Sequence, residues 1–291
     1  MSAISEKLVA LGRFADQVNS STLFESLRPA GAERPKRKRA KKIRSELGPF
    51  ETIVALSGGK DSTAMALELI ERDPRNYEYI CTPTGNEPEE MFEHWKSLGR
   101  LLGKPLTPVM SGTLIGLIKK QNALPNWRQR WCTRILKIEP FALYLARATV
   151  DPTIKVTCYV GLRADEMERE GGDYMEMPRV LMDFPMRRWG WNLSDVVDSL
   201  NRRRIHIPKR TDCKLRFFQR LIEWYELWRD DKLGWAEGES LEEKTGHTFR
   251  SPSRDTWPAS MVGLRKRFEA GDIPKDTRDP LNAMKCRVCR I

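Results

Sequence analysis

The sequence predicts an α/β protein built on a doubly wound, mainly parallel sheet with flanking helices. An N-terminal helical arm precedes the sheet, and an irregular, α-rich region follows it. Three observations lead there. Apolar, strand-like runs alternate with helical patterns between residues 52 and 160, the order that βαβ units produce. The first of these runs, Thr52 to Leu56, turns abruptly through Ser57-Gly58-Gly59 into a helical pattern, so a ligand crevice is expected at the strand C-termini. Beyond Gly161 the alternation gives way to Pro- and Trp-rich loops with shorter helices. We divide the chain into a helical segment and basic linker (1–48), a nucleotide-binding domain (49–212) and an α-rich C-terminal region (213–291) with a cysteine-bearing tail.

Element by element, Leu8, Leu11, Phe14, Val18, Leu23 and Leu27 recur at helical spacing over residues 5–28. Residues 52–56 form a buried strand, and 62–72 a helix that stops before Asp73-Pro74. A second strand covers 77–82. A helix over 89–102 ends at Gly103, a third strand spans 106–110, a helix spans 133–148, and a fourth strand covers 154–160. Later helices are expected over 193–203, 214–231 and 258–270, forming a lid or substrate platform packed on the sheet. No internal repeat is visible.

At 291 residues the chain can bury a sizeable core. It has no apolar run of about eighteen residues and no signal-peptide core at its N-terminus, so a cytoplasmic protein without membrane association is expected. Six cysteines are too few for a disulfide scaffold. The net charge is +11, and residues 34–44 carry eight basic side chains and no acid. Such a block is either a nucleic-acid contact, to DNA or tRNA, or a solvated arm. The 190–228 segment interleaves Arg and Lys with Trp and Tyr. Leu221, Trp224, Leu227 and Trp228 nevertheless share one helical face, so these aromatics read as core.

Ser57-Gly58-Gly59-Lys60-Asp61-Ser62 reads as a phosphate cradle. Amides at a helix N-terminus are unpaired and carry the positive end of the helix dipole. Gly58 and Gly59 let an anion approach them, Ser57 and Ser62 add hydroxyls, and Lys60 adds a cation. The Walker loop fails, because Val54 stands at its first glycine and Asp61 at its hydroxyl position. The hexapeptide resembles the PP-loop of the ATP pyrophosphatase (adenine nucleotide alpha hydrolase-like) superfamily. Further segments are similar to the phosphoadenosine phosphosulfate (PAPS) reductase-like family within it. These are Thr82-Pro83-Thr84-Gly85-Asn86-Glu87-Pro88, Cys132 to Pro140 with Lys137, Gly161-Leu162-Arg163-Ala164-Asp165-Glu166, and Pro185 to Trp189 with Asp195-Val196-Val197.

The resemblance spans about residues 50–215 and implies an adenine-nucleotide enzyme. ATP or a related adenine nucleotide would sit on Ser57, Gly58, Gly59, Lys60, Asp61 and Ser62. Thr84 and Gly85 would lie near the adenosine, with Lys137 and Arg163 on the anion. Mg²⁺ would neutralise the pyrophosphate. Lys60, Asp61 and Arg163 would be the catalytic residues, with Asp61 orienting the loop or Mg²⁺. An adenylation or sulfur-transfer reaction follows, with a sulfur donor or electron donor protein as partner.

Two departures from the family pattern matter. The C-terminal Glu-Cys-Gly-type nucleophile of PAPS reductases is missing. Arg216 also stands where cluster-bearing members place a second cysteine after the one matching Cys213, while a Cys-x-x-Cys pair occurs at Cys286 and Cys289. Thiolates of Cys132, Cys213, Cys286 and Cys289 would complete a [4Fe–4S] cluster or a tetrahedral Zn²⁺ site. The family resemblance favours the cluster; a redox-active or merely exposed pair is the bland reading. Cys81 and Cys158 read as buried hydrophobes, and His94, His206 and His247 as structural. The alternatives are a genuine sulfonucleotide (PAPS or adenosine phosphosulfate) reductase and a nucleic-acid-binding protein that keeps a nucleotide-binding fold.

Overall fold

The computed structural model describes residues 52–169 and 177–277. The N-terminal helical arm, the basic segment 34–44, Cys286 and Cys289 lie outside the described residues. Within them, five strands form one sheet: β1 (Thr52–Ala55), β2 (Glu78–Cys81), β3 (Thr107–Pro108), β4 (Val156–Val160) and β5 (Val180–Asp183), in the order β3-β2-β1-β4-β5. Every pairing is parallel, with Val54 opposite Tyr79 on one side and opposite Tyr159 on the other. This is the doubly wound α/β sheet that the alternation predicts.

Strand pleating divides the core in two. Val54, Tyr79, Cys81 and Tyr159 face α1 (Lys60–Arg72) and α2 (Glu89–Leu101), whereas Ile53, Ile80, Val156 and Cys158 face the opposite side. Both faces are buried, which is why these strands read as continuous apolar runs. After β3 come α3 (Leu114–Gln121), α4 (Trp131–Thr133) and a π-helical stretch Arg134–Ile138. The π stretch continues into α5 (Glu139–Ala148), which covers the second face through Phe141 and Leu145. Next are α6 (Pro185–Arg188) and α7 (Leu193–Arg202), then α8 (Leu221–Asp230), α9 (Lys232–Thr245) and α10 (Met261–Glu269). Met186, Val196 and Leu200 place α6 and α7 on the sheet beside α1, and Arg203 ties that corner to Glu68 and Glu71 of α1.

Four expectations need correction. The helix over 133–148 is interrupted, because Pro140 has no N–H and its ring crowds the carbonyl four residues earlier. The backbone widens there, and Glu139 N–H donates to the Arg134 carbonyl. The strand over 106–110 shrinks to Thr107–Pro108, an edge where proline cannot donate. The helix over 214–231 begins only at Leu221, because the Lys214 and Leu215 amides donate to the Asn86 carbonyl (2.6 Å) and side-chain oxygen (2.9 Å).

The fourth concerns the C-terminal platform, which does not pack on the strands as a whole. Helices α8, α9 and α10 share a separate core with α3 and Leu136, centred on Trp224, Trp235 and Phe268. Strand β5 and helices α3 and α9 were not anticipated. Three half-exposed edge residues and an exposed Leu181 make a weak strand signal, and Gly234 and Gly238 dilute the helical pattern of α9. Among the described residues no helix is long and apolar enough to cross a membrane.

Glu242 closes the C-terminal core. Its carboxylate accepts the Phe249 amide at 2.9 Å and the Met261 amide at 2.7 Å, joining α9 to the loop behind it and to the start of α10. Burial pushes its pKa up to about 7, with Glu239 adding to the rise and the two amides and Arg250 opposing it. An acid whose pKa is raised by folding binds its proton more tightly in the folded state. Stability therefore falls as pH rises from about 4.5 and levels off above pH 7, by roughly 3 kcal/mol in all. Urea unfolding at pH 5 and pH 8 should show Glu242→Gln losing less stability than wild type over that interval. Parallel losses in the two proteins would exclude this titration.

Candidate phosphate loop and thiol pocket

Strands β1 and β4 are neighbours although they are distant in sequence, so the winding of the sheet reverses between them. A crevice opens outside the carboxyl ends at such a point. Residues 57–62 leave β1 there and 161–166 leave β4. Gly58 has φ of +82°, and a Cβ on it would lie 2.3 Å from Met91 Cε and 2.5 Å from Trp95 Nε1. Only glycine meets both demands. The neighbouring carbonyls are turned down onto α2: Trp95 Nε1 donates to the Ser57 carbonyl and His94 Nε2 to that of Gly58, both at 3.0 Å. Burial lowers the His94 pKa against the effect of that hydrogen bond, so the ring stays neutral and donates from Nε2.

With its carbonyls pinned, the loop enters α1 at Gly59 with no side chain capping the helix N-terminus. Ser57 Oγ and Ser62 Oγ lie 3.0 Å apart, and Ser62 Oγ also reaches the Gly59 carbonyl at 3.2 Å. Gly161 packs edge-on against this turn. A Cβ there would fall 3.0 Å from the Ser62 nitrogen and 3.2 Å from the Asp61 carbonyl carbon.

Asp61 is the hinge of the charges. One oxygen takes the buried Lys60 ammonium at 2.6 Å and the other takes Arg163 NH1 at 2.9 Å. Arg163 is almost wholly buried and also binds Asp165 (2.7 Å) and Glu166 (3.4 Å). Burial opposes its charge, but the hydrogen bonds with Asp165 and Asp61 outweigh that and raise its pKa. Two cations and three carboxylates thus fix the end of β4 against the first turn of α1.

A second feature lies beside the end of β2. Cys132 from α4, Cys213, Lys137, Thr84, Arg216 and Phe218 line one cavity. The Thr84 hydroxyl contacts both Glu87 Oε1 (2.7 Å) and Cys213 Sγ (3.1 Å). Burial pushes the Cys213 thiol up to about 11, helped by Glu87 and Cys132 and opposed by Lys137. Burial also raises Cys132, against hydrogen bonds to Thr133 and the charges of Lys137 and Arg130. Both thiols are therefore protonated at neutral pH until something displaces the proton.

The two features share a segment of chain. A Cβ on Gly59 would lie 3.7 Å from Thr211 Oγ1, and Cys213 is two residues further on. Two residues span at most about 7 Å. The hydrogen bonds of Asn86 hold the next two residues, so phosphate loop and thiol pocket are joined by one fixed strand of backbone.

Among the residues expected from sequence, Ser57, Gly58, Gly59, Lys60, Asp61, Ser62 and Arg163 come together in the loop. Thr84, Lys137, Cys132 and Cys213 come together in the pocket, and Gly85, next to Thr84, has φ of +70° and packs against Thr113. Cys286 and Cys289 lie outside the described residues, and no group of three or more metal-ligating side chains occurs among those described. The pocket supplies two sulfur donors beside a lysine, which suits a thiolate-bound metal but does not complete a four-sulfur set. Cys81 and Cys158 are buried in strands, with pKa values pushed up by burial to about 12. Trp224 is fully buried, in line with its helical face.

Sequence reading gives Trp95 and Thr211 no place in the site; Asn86 and Asp165 stand in the segments quoted above without an assigned role, and His94, read as structural, holds the Gly58 carbonyl. His94 and Trp95 look like helix-core positions, and the only available signal was a polar nitrogen on each at a buried face.

No family model matches the chain, and no curated protein does. Among solved structures it is similar to phosphoadenylyl-sulfate (PAPS) reductase from Candida auris, in a phosphate complex. The identity is 13%, the TM-score 0.42, and the match covers 61% of this chain and 91% of that chain.

The glycine requirement can be measured directly. Gly58→Ala adds both a positive-φ penalty and a clash, and is expected to cost about 2–4 kcal/mol in urea unfolding. Gly103→Ala, with φ of +73° and open space around it, is expected to cost about 1 kcal/mol. Equal losses would show that the contact with Met91 and Trp95 is not what demands glycine.

Proposed function

We propose that this chain is a PP-loop enzyme that binds ATP or a related adenine nucleotide, adenylates an acceptor oxygen and directs sulfur to the activated position. The observation that carries the reading is the adjacency of an uncapped, glycine-turned helix N-terminus to two half-buried thiols through Thr211 to Cys213. The phosphates would lie on the amides of residues 59–62 and the hydroxyls of Ser57 and Ser62. The acceptor oxygen would attack the α-phosphorus, and the bond to pyrophosphate would break. A sulfide-level sulfur nucleophile would then form a bond to the activated atom and expel AMP.

Catalysis in this reading is electrostatic and positional. Lys60 and Arg163 set the field at the loop, and Asp61 is their organiser: both of its oxygens are occupied by cations, so it is not placed as a base. Mg²⁺ would be held mainly by the phosphates. Cys132 and Cys213, joined by Cys286 and Cys289, would hold a [4Fe–4S] cluster, with zinc as the alternative metal, and Lys137 would offset thiolate charge. Such a cluster, when bound, would supply a site for sulfur or electrons. The cytoplasm, where thiols stay reduced, suits this chemistry.

Purification under anaerobic conditions, followed by iron, sulfide and zinc analysis, tests the metal. Iron and sulfide are expected in wild type and lost in Cys132→Ser and Cys213→Ser; stoichiometric zinc without iron would remove the cluster. For the nucleotide, calorimetry should show ATP binding that Lys60→Ala weakens at least tenfold, about 1.4 kcal/mol. Equal binding by wild type and Lys60→Ala would overturn the PP-loop assignment. Sulfite release from PAPS would convert the reading to that of a reductase.

A further inference from the structure

The thiol pocket has a built approach on its outer side. Pro125 lines the cavity and Cys132 lines it again seven residues later, so the intervening loop leaves the cavity wall and returns to it. Asn126 shapes that loop: its side-chain oxygen accepts the amides of Arg128 at 3.0 Å and Gln129 at 2.8 Å, and its own amide donates to the Gln129 carbonyl. The tip of this tight turn is Trp127, 61% exposed, with the Arg128 guanidinium 4.9 Å from its ring centroid. On the returning leg, Arg130 sits 5.8 Å over Phe218, a wall of the pocket.

An indole at a loop tip has a large apolar face that water solvates poorly, and a guanidinium laid beside it makes a flat, cationic platform. Along this stretch of chain the charge has one sign, and Asp212 on the cavity wall is paired with Arg210 and Arg216. Between Glu93 and Glu139 the sequence holds nine Lys and Arg residues and no Asp or Glu. Flat π-surface alternating with cations at the mouth of a pocket is the chemistry that binds a strand of unpaired bases through stacking and phosphate contacts. A duplex offers no free base face to Trp127, and an acidic peptide would use the cations but not the ring.

We infer that the 125–130 loop is a binding surface for single-stranded nucleic acid, with a base stacked on Trp127, phosphates on Arg128 and Arg130, and the strand led toward the Cys132–Cys213 pocket. This deepens the proposed function, on which it rests only for the claim that the bound strand is the acceptor. The loop stands at the mouth of the thiol pocket, in a part of the chain distinct from the basic segment 34–44.

Fluorescence anisotropy of the full chain with a labelled single-stranded 20-mer, in the presence of heparin or of the matching duplex as competitor, tests the surface. Trp127→Ala should weaken single-strand binding by about fivefold or more and leave the heparin affinity within twofold. Arg128→Ala should lower the slope of log affinity against log salt by about 0.7. Asn126→Ala, which releases the turn, should weaken single-strand binding in the same direction. Single-strand affinity within twofold of wild type in Trp127→Ala, or an equal loss for heparin, would each overturn the inference. ATP calorimetry on wild type separates the two claims: oligonucleotide binding that needs Trp127 without any ATP binding would sink the adenylation reading and leave the surface standing. ATP binding without Trp127-dependent strand binding would do the reverse.

Discussion

The site depends above all on the contact between Asp61 and Arg163. These residues leave two strands that are adjacent in the sheet but 102 residues apart in the chain, and their ion pair at 2.9 Å fixes one loop against the other. Burying a guanidinium is costly, and one carboxylate seldom compensates for its lost hydration. Here three carboxylates surround it, so the charge is satisfied in place and the cost is offset by geometry. Removing any one of them would leave a buried charge short of partners, which is why the cluster fixes a unique arrangement.

Around that contact the phosphate loop is held from below and from the side. His94 and Trp95 take its carbonyls, which turns its amides the other way, and Gly161 lets the β4 loop come within van der Waals contact of the first turn of α1. A parallel sheet makes this possible, since all its strands end on the same edge and their loops must share that space. The thiol pocket uses the same edge one strand further on. Thr84 and Asn86, leaving β2, hold Cys213 and the two residues after it.

Much of this was legible in the residues. The continuous apolar runs and helical patterns marked four of the five strands and the helices that cover them, because strands buried on both faces must be apolar throughout. Ser57 to Ser62 marked the sharp strand-to-helix turn, because Gly58 alone can take the positive φ and the close approach to Met91 and Trp95. Elsewhere the pattern misled for identifiable reasons. A helix over 214–231 fits the spacing of Leu221, Trp224 and Leu227, but the residues before Leu221 give their amides to Asn86, a partner invisible to any local pattern. Pro140 was in plain view, yet the π turn it imposes depends on how the flanking helices are held.

The sequence by itself determined the fold class, the glycine turn from β1 into α1 and the chemical types available: glycines, one lysine, one arginine and scattered cysteines. Tertiary structure decided which of them meet. It set Arg163 among three carboxylates, brought Cys132 and Cys213 to one cavity across 81 residues of chain, and exposed Trp127 on the loop between two residues that line that cavity. The physical reason is range: helix and strand signals act over a few residues, whereas a site is assembled by loops that converge on one edge of a sheet, and that convergence is settled only when the core packs.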